Sequence, residues 1–226
     1  MRRIVFPLIL GLGGIAILMS LGFWQLRRLE WKEAMLAEID ARIGAAPVDL
    51  ADLGPPDSAT QRYQAVTATG RTTGEEALVL SGEKNVGAGY EVVDVFETAA
   101  GRRVLLDRGF IREEDKGKPR PPVTLTIGGN LNWPNDADTF TPPPDAATGI
   151  WFARDVAAMA AALKTDPLLI IVSTAEGDAQ GIEPRPIDTS GIPNDHLQYA
   201  ITWFSLAAVW AGMTLYLLWR IRRRTI

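Results

Sequence analysis

Two long apolar runs, one near each end of the chain, dominate the hydropathy pattern. Residues 4–22 contain no charged side chain, and a second uncharged run extends from Leu197 to Trp219. About 20 apolar residues in a helix cross the ~30 Å hydrocarbon core of a bilayer. The pattern therefore predicts transmembrane helices within residues 1–26 and 196–226.

Charged residues at the ends of the two runs predict their orientation. Four arginines occur within the five residues after Trp219, and such basic segments remain on the cytoplasmic side. With two spans, both termini are then cytoplasmic and residues 27–195 form a domain in the bacterial periplasm. The first run ends in FWQLRR rather than in a small-residue cleavage site, which favours an uncleaved inner-membrane anchor over a signal peptide.

Residues 27–44 continue the first span with a helical period. Leu29, Leu36 and Ile43 repeat every seven residues, and Gly44 then favours a helix end. We therefore expect the first transmembrane helix to extend into the domain.

From residue 62 onward, apolar and polar residues alternate in the period of a β-strand. A helix is predicted for residues 151–164, and the Gly128-Gly129 pair suggests a bulge or a close backbone approach. The predicted strands are residues 62–67, 77–80, 89–98, 102–111, 123–133 and 168–174. The fold class is therefore α+β: a mainly antiparallel β domain with one or two helices, as an open sheet or a barrel, between two transmembrane helices.

The charge distribution follows the same division. All 27 acidic residues lie between Glu30 and Asp195, and residues 27–195 contain 17 basic residues, so the predicted domain carries −10 and the two ends carry +6. An acidic domain argues against a nucleic-acid partner. The chain has no cysteine, which excludes disulfides, thiolate metal sites and cysteine nucleophiles.

Catalytic motifs are scarce. The sequence contains no G-x-S-x-G, H-E-x-x-H or G-x-x-x-x-G-K-[ST] pattern, and its single histidine, His196, opens the second span. We therefore expect a protein that is not an enzyme. One histidine and five scattered methionines also disfavour a copper site.

Three segments in order resemble one known family. LGFWQLRRLEWKEAML (Leu21–Leu36), VLLDRGFI (Val104–Ile111) and NDHLQYAITWFSLA (Asn194–Ala207) resemble signatures of the Surfeit locus (Surf/Shy) family of cytochrome c oxidase assembly factors. The two-span topology and the length between the spans agree with that family. The family usually has two asparagines before the histidine, whereas this chain has Asn194-Asp195.

The resemblance implies a factor that matures a haem–copper oxidase. Bacterial members are thought to bind haem a and assist its insertion into the catalytic subunit. The implied partners are oxidase subunits, chiefly the haem-bearing catalytic one, membrane lipid and, as a further candidate, haem a synthase. The alternative is a cofactor-free scaffold that clamps a nascent oxidase subunit.

His196 is the one imidazole that could bind haem iron, and a structural hydrogen bond is an equal alternative. Asn194 or Asp195 is expected to cap the second span and place His196 in its first turn, where the helix dipole favours neutral imidazole and the adjacent Asp195 carboxylate favours the charged form. Tyr199 and Trp203, together with Trp210, share its helix face and either stack on a porphyrin or serve in anchoring and packing.

Two further groups are candidates for binding. Arg108 can pair with a haem propionate or, more simply, with an acidic residue of its own domain. A membrane junction is predicted at Trp24, Gln25, Arg28 and Trp31.

Finally, Gly11, Gly14 and Gly22 share one face of the first span, which suits close docking on the second span or on a partner.

Overall fold

The apolar residues at the two ends of the chain form long helices. The computed structural model describes residues 2–83, 86–145 and 148–223, with helix α1 at Arg2–Ile43 and helix α4 at His196–Arg223. Both helices are long and apolar enough to span a bilayer, with mean hydropathies of 2.5 and 1.6 in their most apolar windows. Arg224, predicted to belong to the basic tail, lies outside the described residues.

The chain divides into two units. The helical unit consists of Met1–Glu38 and Thr189–Ile226, and the β unit is Ile39–Asp188. The described part of the β unit contains helices α2 (Ser58–Gln61) and α3 (Val156–Leu163). Its strands are β1 (Val48–Asp49), β2 (Ala65–Glu83), β3 (Gly87–Thr98), β4 (Arg103–Arg112), β5 (Thr124–Asn132), β6 (Ile150–Trp151) and β7 (Leu169–Glu176).

Five of these strands close into a barrel. Strand β2 pairs with β3, β3 with β4, β4 with β7, β7 with β5, and β5 again with β2. Among these pairs in the described residues, only β4 and β7 run parallel. The predicted class is confirmed, and the choice between open sheet and barrel is decided in favour of the barrel.

Strand alternation gives the barrel an apolar interior and a second apolar layer outside. Because successive side chains of a strand point to opposite faces, each strand contributes to both layers. The outer layer packs under α3, where Met159 contacts the face formed by Leu105 and Leu169. The interior is filled by Val66, Ala68, Phe96, Val104, Leu106, Leu125, Ile127, Leu131, Ile170 and Val172.

The prediction of separate strands at 62–67 and 77–80 was wrong, because β2 is one strand of 19 residues. Its pairing with β3 shifts register between Thr72 and Glu76, around Gly74 at φ +85°. This irregularity lets the strand change direction without breaking. The intervening polar sequence hid the continuity, since it lacks apolar alternation.

The prediction of a helix over 151–164 was too long. Ile150 and Trp151 pair with β2, and α3 begins at Val156. Asp155 determines the start, since its side chain accepts a hydrogen bond from the Ala158 amide at 3.0 Å.

The predicted irregularity at Gly128-Gly129 is confirmed. The register of β5 against β7 shifts between these two glycines. A Cβ at Gly129 would collide with the carbonyl oxygen of Ile171, so the missing side chain permits the close strand approach.

Candidate functional site

The glycines of α1 form the surface on which α4 packs. A Cβ added at Gly11 would collide with Thr214, and one added at Gly14 would collide with Trp210. Trp210 also donates from Nε1 to the Gly11 carbonyl oxygen at 3.2 Å. The glycine face therefore docks on the second helix, one of the two roles that the sequence left open.

The same antiparallel pairing continues to the other end of the helix pair. A Cβ at Gly22 would meet the Phe204 ring, which lies edge-to-face on Phe23 with ring centroids 5.4 Å apart. Ala200 and Ala207 of α4 are buried. Small residues and one aromatic stack thus align the helices next to the start of α4.

At this end, His196 meets Gln25. The Nδ1 atom of His196 lies 2.8 Å from the Gln25 Oε1 atom, and the Gln25 side chain is buried. The Asp195 carbonyl oxygen accepts from the Tyr199 amide at 3.1 Å, which places His196 in the first turn of α4 as predicted. Two candidate residues from distant parts of the sequence therefore form one polar contact.

The contact defines what the imidazole can do. An amide oxygen is an acceptor, so Nδ1 carries the proton and Nε2 of the neutral ring keeps its lone pair. Among the described residues, Nε2 has no hydrogen-bond partner. The Oδ1 atom of Asn194, two residues earlier, is also buried without a hydrogen-bond partner. The imidazole can therefore offer its second nitrogen to a ligand, while Asn194 leaves one buried acceptor unsatisfied.

The aromatic residues next to this contact differ in exposure. Tyr199 is exposed and Trp203 is half-buried, on the helix face that carries His196. Trp210, further along, packs on Gly11 and Gly14. Trp210 therefore serves in helix packing, whereas Tyr199 and Trp203 lie nearer to His196 along the helix.

The predicted membrane junction consists of exposed side chains on α1. Trp24 and Trp31 are both about half exposed, and the Arg28 guanidinium carbon lies 4.0 Å from the Trp31 ring centroid. Aromatic and cationic residues of this kind anchor helices at the interface between membrane and water. Gln25 differs from them, since it is buried against His196.

Arg108 lies in the β unit at a bulge. Val92 pairs with Gly109 and Val93 with Asp107, so Arg108 is the extra residue of β4. Its Nη1 atom lies 3.0 Å from an Asp94 carboxylate oxygen, and both side chains are almost fully buried. The ion pair agrees with the simpler role predicted for Arg108. A contact to a haem propionate would require this pair to open.

Arg108 also holds a segment that follows β7, residues 178–185, here called the strap. It donates to Gln180 Oε1 at 2.7 Å and to the carbonyl oxygens of Asp178 and Ala179 at 3.1 and 3.2 Å. These bonds tie the strap to the bulge of β4.

The next two residues of the motif complete this attachment. Gly109, at φ +118°, approaches the Glu183 carbonyl so closely that a Cβ would collide with it. Phe110 exchanges two backbone hydrogen bonds with Glu183, and Arg185 stacks on its ring at 3.9 Å. The Arg-Gly-Phe sequence is therefore the docking site of the strap.

Two buried carboxyl groups flank the bulge. Burial raises the pKa of Asp94 to about 6, even though the Arg108 cation favours its charged form. Burial, followed by the charge of Glu91, raises the pKa of Asp107 to about 6 against the opposing effect of Arg154. Both groups therefore titrate well above the ordinary range of an aspartate.

No group of three or more His, Asp or Glu side chains that could hold a metal ion occurs in the described ranges. A haem would not require such a group, because the porphyrin itself would supply four nitrogen donors to the iron. The one imidazole of the chain, His196, has the chemistry that such a group would need from the protein.

Comparisons with known proteins cover nearly all of the chain. A family model described as the SURF1 family matches residues 12–208. A SURF1-like protein of Rickettsia felis is 29% identical over 93% of this chain and 93% of its own. A SURF1-like protein of Monosiga brevicollis is 28% identical over 88% and 82%. Surfeit locus protein 1 of Xenopus tropicalis is 26% identical over 84% and 68%.

Proposed function

This chain belongs to the SURF1 family of cytochrome c oxidase assembly factors, and on that premise we propose that it holds haem a through His196 while a haem–copper oxidase is assembled. In this proposal the two helices span the bacterial inner membrane, with both termini in the cytoplasm and the β unit in the periplasm. The partner is the catalytic, haem-bearing oxidase subunit, and haem a synthase is the candidate donor.

The observation that carries the proposal is the contact between His196 and Gln25. When bound, haem a supplies an iron that accepts a lone pair from imidazole. Gln25 fixes the ring by accepting from Nδ1–H at 2.8 Å, so Nε2 is the available ligand. Tyr199 and Trp203 provide aromatic surface on the same helix face. One protein ligand suits temporary binding, because release then requires the loss of a single bond to the protein.

The test is an optical spectrum of the full chain purified from cells that make haem a. We expect a haem band in the parent, its loss in His196→Ala, and roughly 10- to 100-fold weaker haem retention in Gln25→Leu, since the orienting bond is removed. Gln198→Leu is the matched control, because Gln198 is exposed on the same helix. Its spectrum should equal that of the parent.

The outcomes separate the two functions. Equal haem retention in the parent and His196→Ala would contradict ligation by His196. A parent without haem that still co-purifies with the oxidase subunit would replace the haem proposal with the scaffold, in which the helices clamp a nascent subunit. The spectrum of Gln25→Leu adds a second, graded test of the geometry.

A further inference from the structure

An apolar groove of about 400 Å³ opens between α1 and α4 on the side of the chain termini. Phe6 and Leu10 line it on α1, and Met213 and Leu217 line it on α4. All four side chains are exposed. Gly11 and Trp210 also line the groove, so it adjoins the hydrogen bond between these two residues.

Arginines lie about one helical turn beyond this groove on α4, and two arginines precede it in the sequence of α1. Arg220 follows Leu217 by three residues, or about 4.5 Å of helix rise, and Arg220 and Arg222 are exposed. On α1, Arg2 and Arg3 precede Phe6 by three or four residues. These arginines are called the cationic rim. No acidic residue occurs in residues 1–29 or 196–226, so neither terminal segment contains an acidic side chain that could balance their charge.

We propose that the groove binds an acyl chain of an anionic phospholipid whose phosphate lies among the arginines, chiefly Arg220 and Arg222. An apolar tail joined to an anionic head matches an apolar groove below a cationic rim. The groove falls within the ~300–1,000 Å³ of sites that bury small ligands. A partner helix that filled the groove with apolar side chains would leave the arginines unmatched, and a zwitterionic lipid would match them only in part.

The test is native mass spectrometry of the full chain in mild detergent with equal amounts of phosphatidylglycerol and phosphatidylcholine. We expect the parent to retain one phosphatidylglycerol in preference to phosphatidylcholine. Arg220→Gln/Arg222→Gln should reduce that preference roughly 10- to 30-fold, since each arginine near a headgroup adds to the attraction. Arg71→Gln/Arg112→Gln removes equal charge from two exposed sites of the β unit and should leave the preference unchanged.

A second variant tests the groove itself without touching the charges. Met213→Trp fills the groove and should abolish lipid retention, whereas Val209→Trp changes an exposed residue of α4 that does not line it. Circular dichroism of each variant shows whether the helices remain folded. Equal retention of both lipids by the parent, or equal losses in both double arginine variants, would overturn the proposal. So would retention of a haem or a partner helix in place of lipid. Because the readout is lipid mass, these results leave the role of His196 untouched.

Discussion

Replacing Arg108 with alanine tests whether the bulge of β4 holds the β unit together. The substitution leaves the Asp94 carboxylate buried without its cation and removes the donor from Gln180 and from two strap carbonyl groups. The neighbouring cations are already paired, Arg154 with Asp107 and Arg120 with Glu76, so neither is free to replace the guanidinium.

The magnitude follows from the burial of this pair. Only 5% of the Arg108 side chain and 3% of the Asp94 side chain are exposed. Breaking such a pair by removing one partner costs about 3–5 kcal/mol, and the unpaired strap acceptors each add up to ~1 kcal/mol. A loss of roughly 4 kcal/mol is a large share of the ~5–15 kcal/mol that stabilises a domain. For a unit of this size it lowers Tm by roughly 8–16 °C.

The assay is thermal unfolding of the full chain in detergent micelles, followed by tryptophan fluorescence at pH 5 and pH 8. Without Arg108, the pKa of Asp94 rises further, so the variant loses stability as pH increases through that higher pKa. We therefore expect a larger deficit at pH 8 than at pH 5. Arg112→Ala, an exposed site on the same strand, should change Tm by less than about 2 °C.

Two results would refute this reasoning. A Tm loss below about 3 °C would mean that the ion pair contributes little, and a deficit that does not grow toward pH 8 would mean that the pKa of Asp94 does not rise when Arg108 is removed. Arg108→Met/Asp94→Leu supplies the complementary test. Replacing both partners with apolar groups should cost less than Arg108→Ala alone, because no buried charge is left unpaired.

Three further predictions concern single positions. Gly14→Leu should lower the thermal stability of the helix pair measured by circular dichroism, because its side chain would meet Trp210, whereas Gly13→Leu has open space and should not. Since burial raises the pKa of Asp94 from 3.8 to about 6, its contribution to stability declines as pH rises from 4 to 6. Asp94→Asn should remove up to ~1.4 kcal/mol per pH unit from that slope in thermal unfolding. Gly109→Ala combines a positive φ with a collision and should lower Tm more than Gly101→Ala, which has a positive φ and no close neighbour; equal losses would contradict the collision.

The hydropathy pattern was sufficient for the parts of the fold that depend on local periodicity. The uninterrupted apolar runs predicted helices at both ends, and alternation predicted the hairpin of β3 and β4. Barrel closure was not predictable in the same way, because it depends on pairing between β2 and β5, whose partners lie about 60 residues apart. The polar segment around Gly74 likewise concealed a single strand, since register shifts leave no periodic signal.

The candidate site was likewise predictable only in part from the sequence. His196 could be selected from composition, because the chain has no other histidine. Its pairing with Gln25 could not be predicted, since the residues are 171 positions apart and Gln25 fitted a membrane junction equally well. The strap was not predicted, because its contacts with Arg108 and Phe110 join segments about 70 residues apart in the sequence.

Packing within the protein explains several residues of the three segments that resemble the family. In the first segment, Gly22 is required by the Phe204 ring. In the central segment, Arg108 and Gly109 are required by Asp94 and by the strap. Packing explains these residues without reference to a ligand.

His196 is different, because its packing uses only half of the ring. The Nδ1 atom satisfies Gln25, and an amide or hydroxyl donor at this position could have made that bond equally well. What an imidazole adds is a second nitrogen, which in the neutral ring offers a lone pair to a ligand. Asparagine at position 196 separates the two requirements, since its amide donates to Gln25 but provides no imidazole ligand. His196→Asn should therefore keep the Tm of the helix pair close to that of the parent while losing haem retention, and equal losses of both would assign His196 to packing alone.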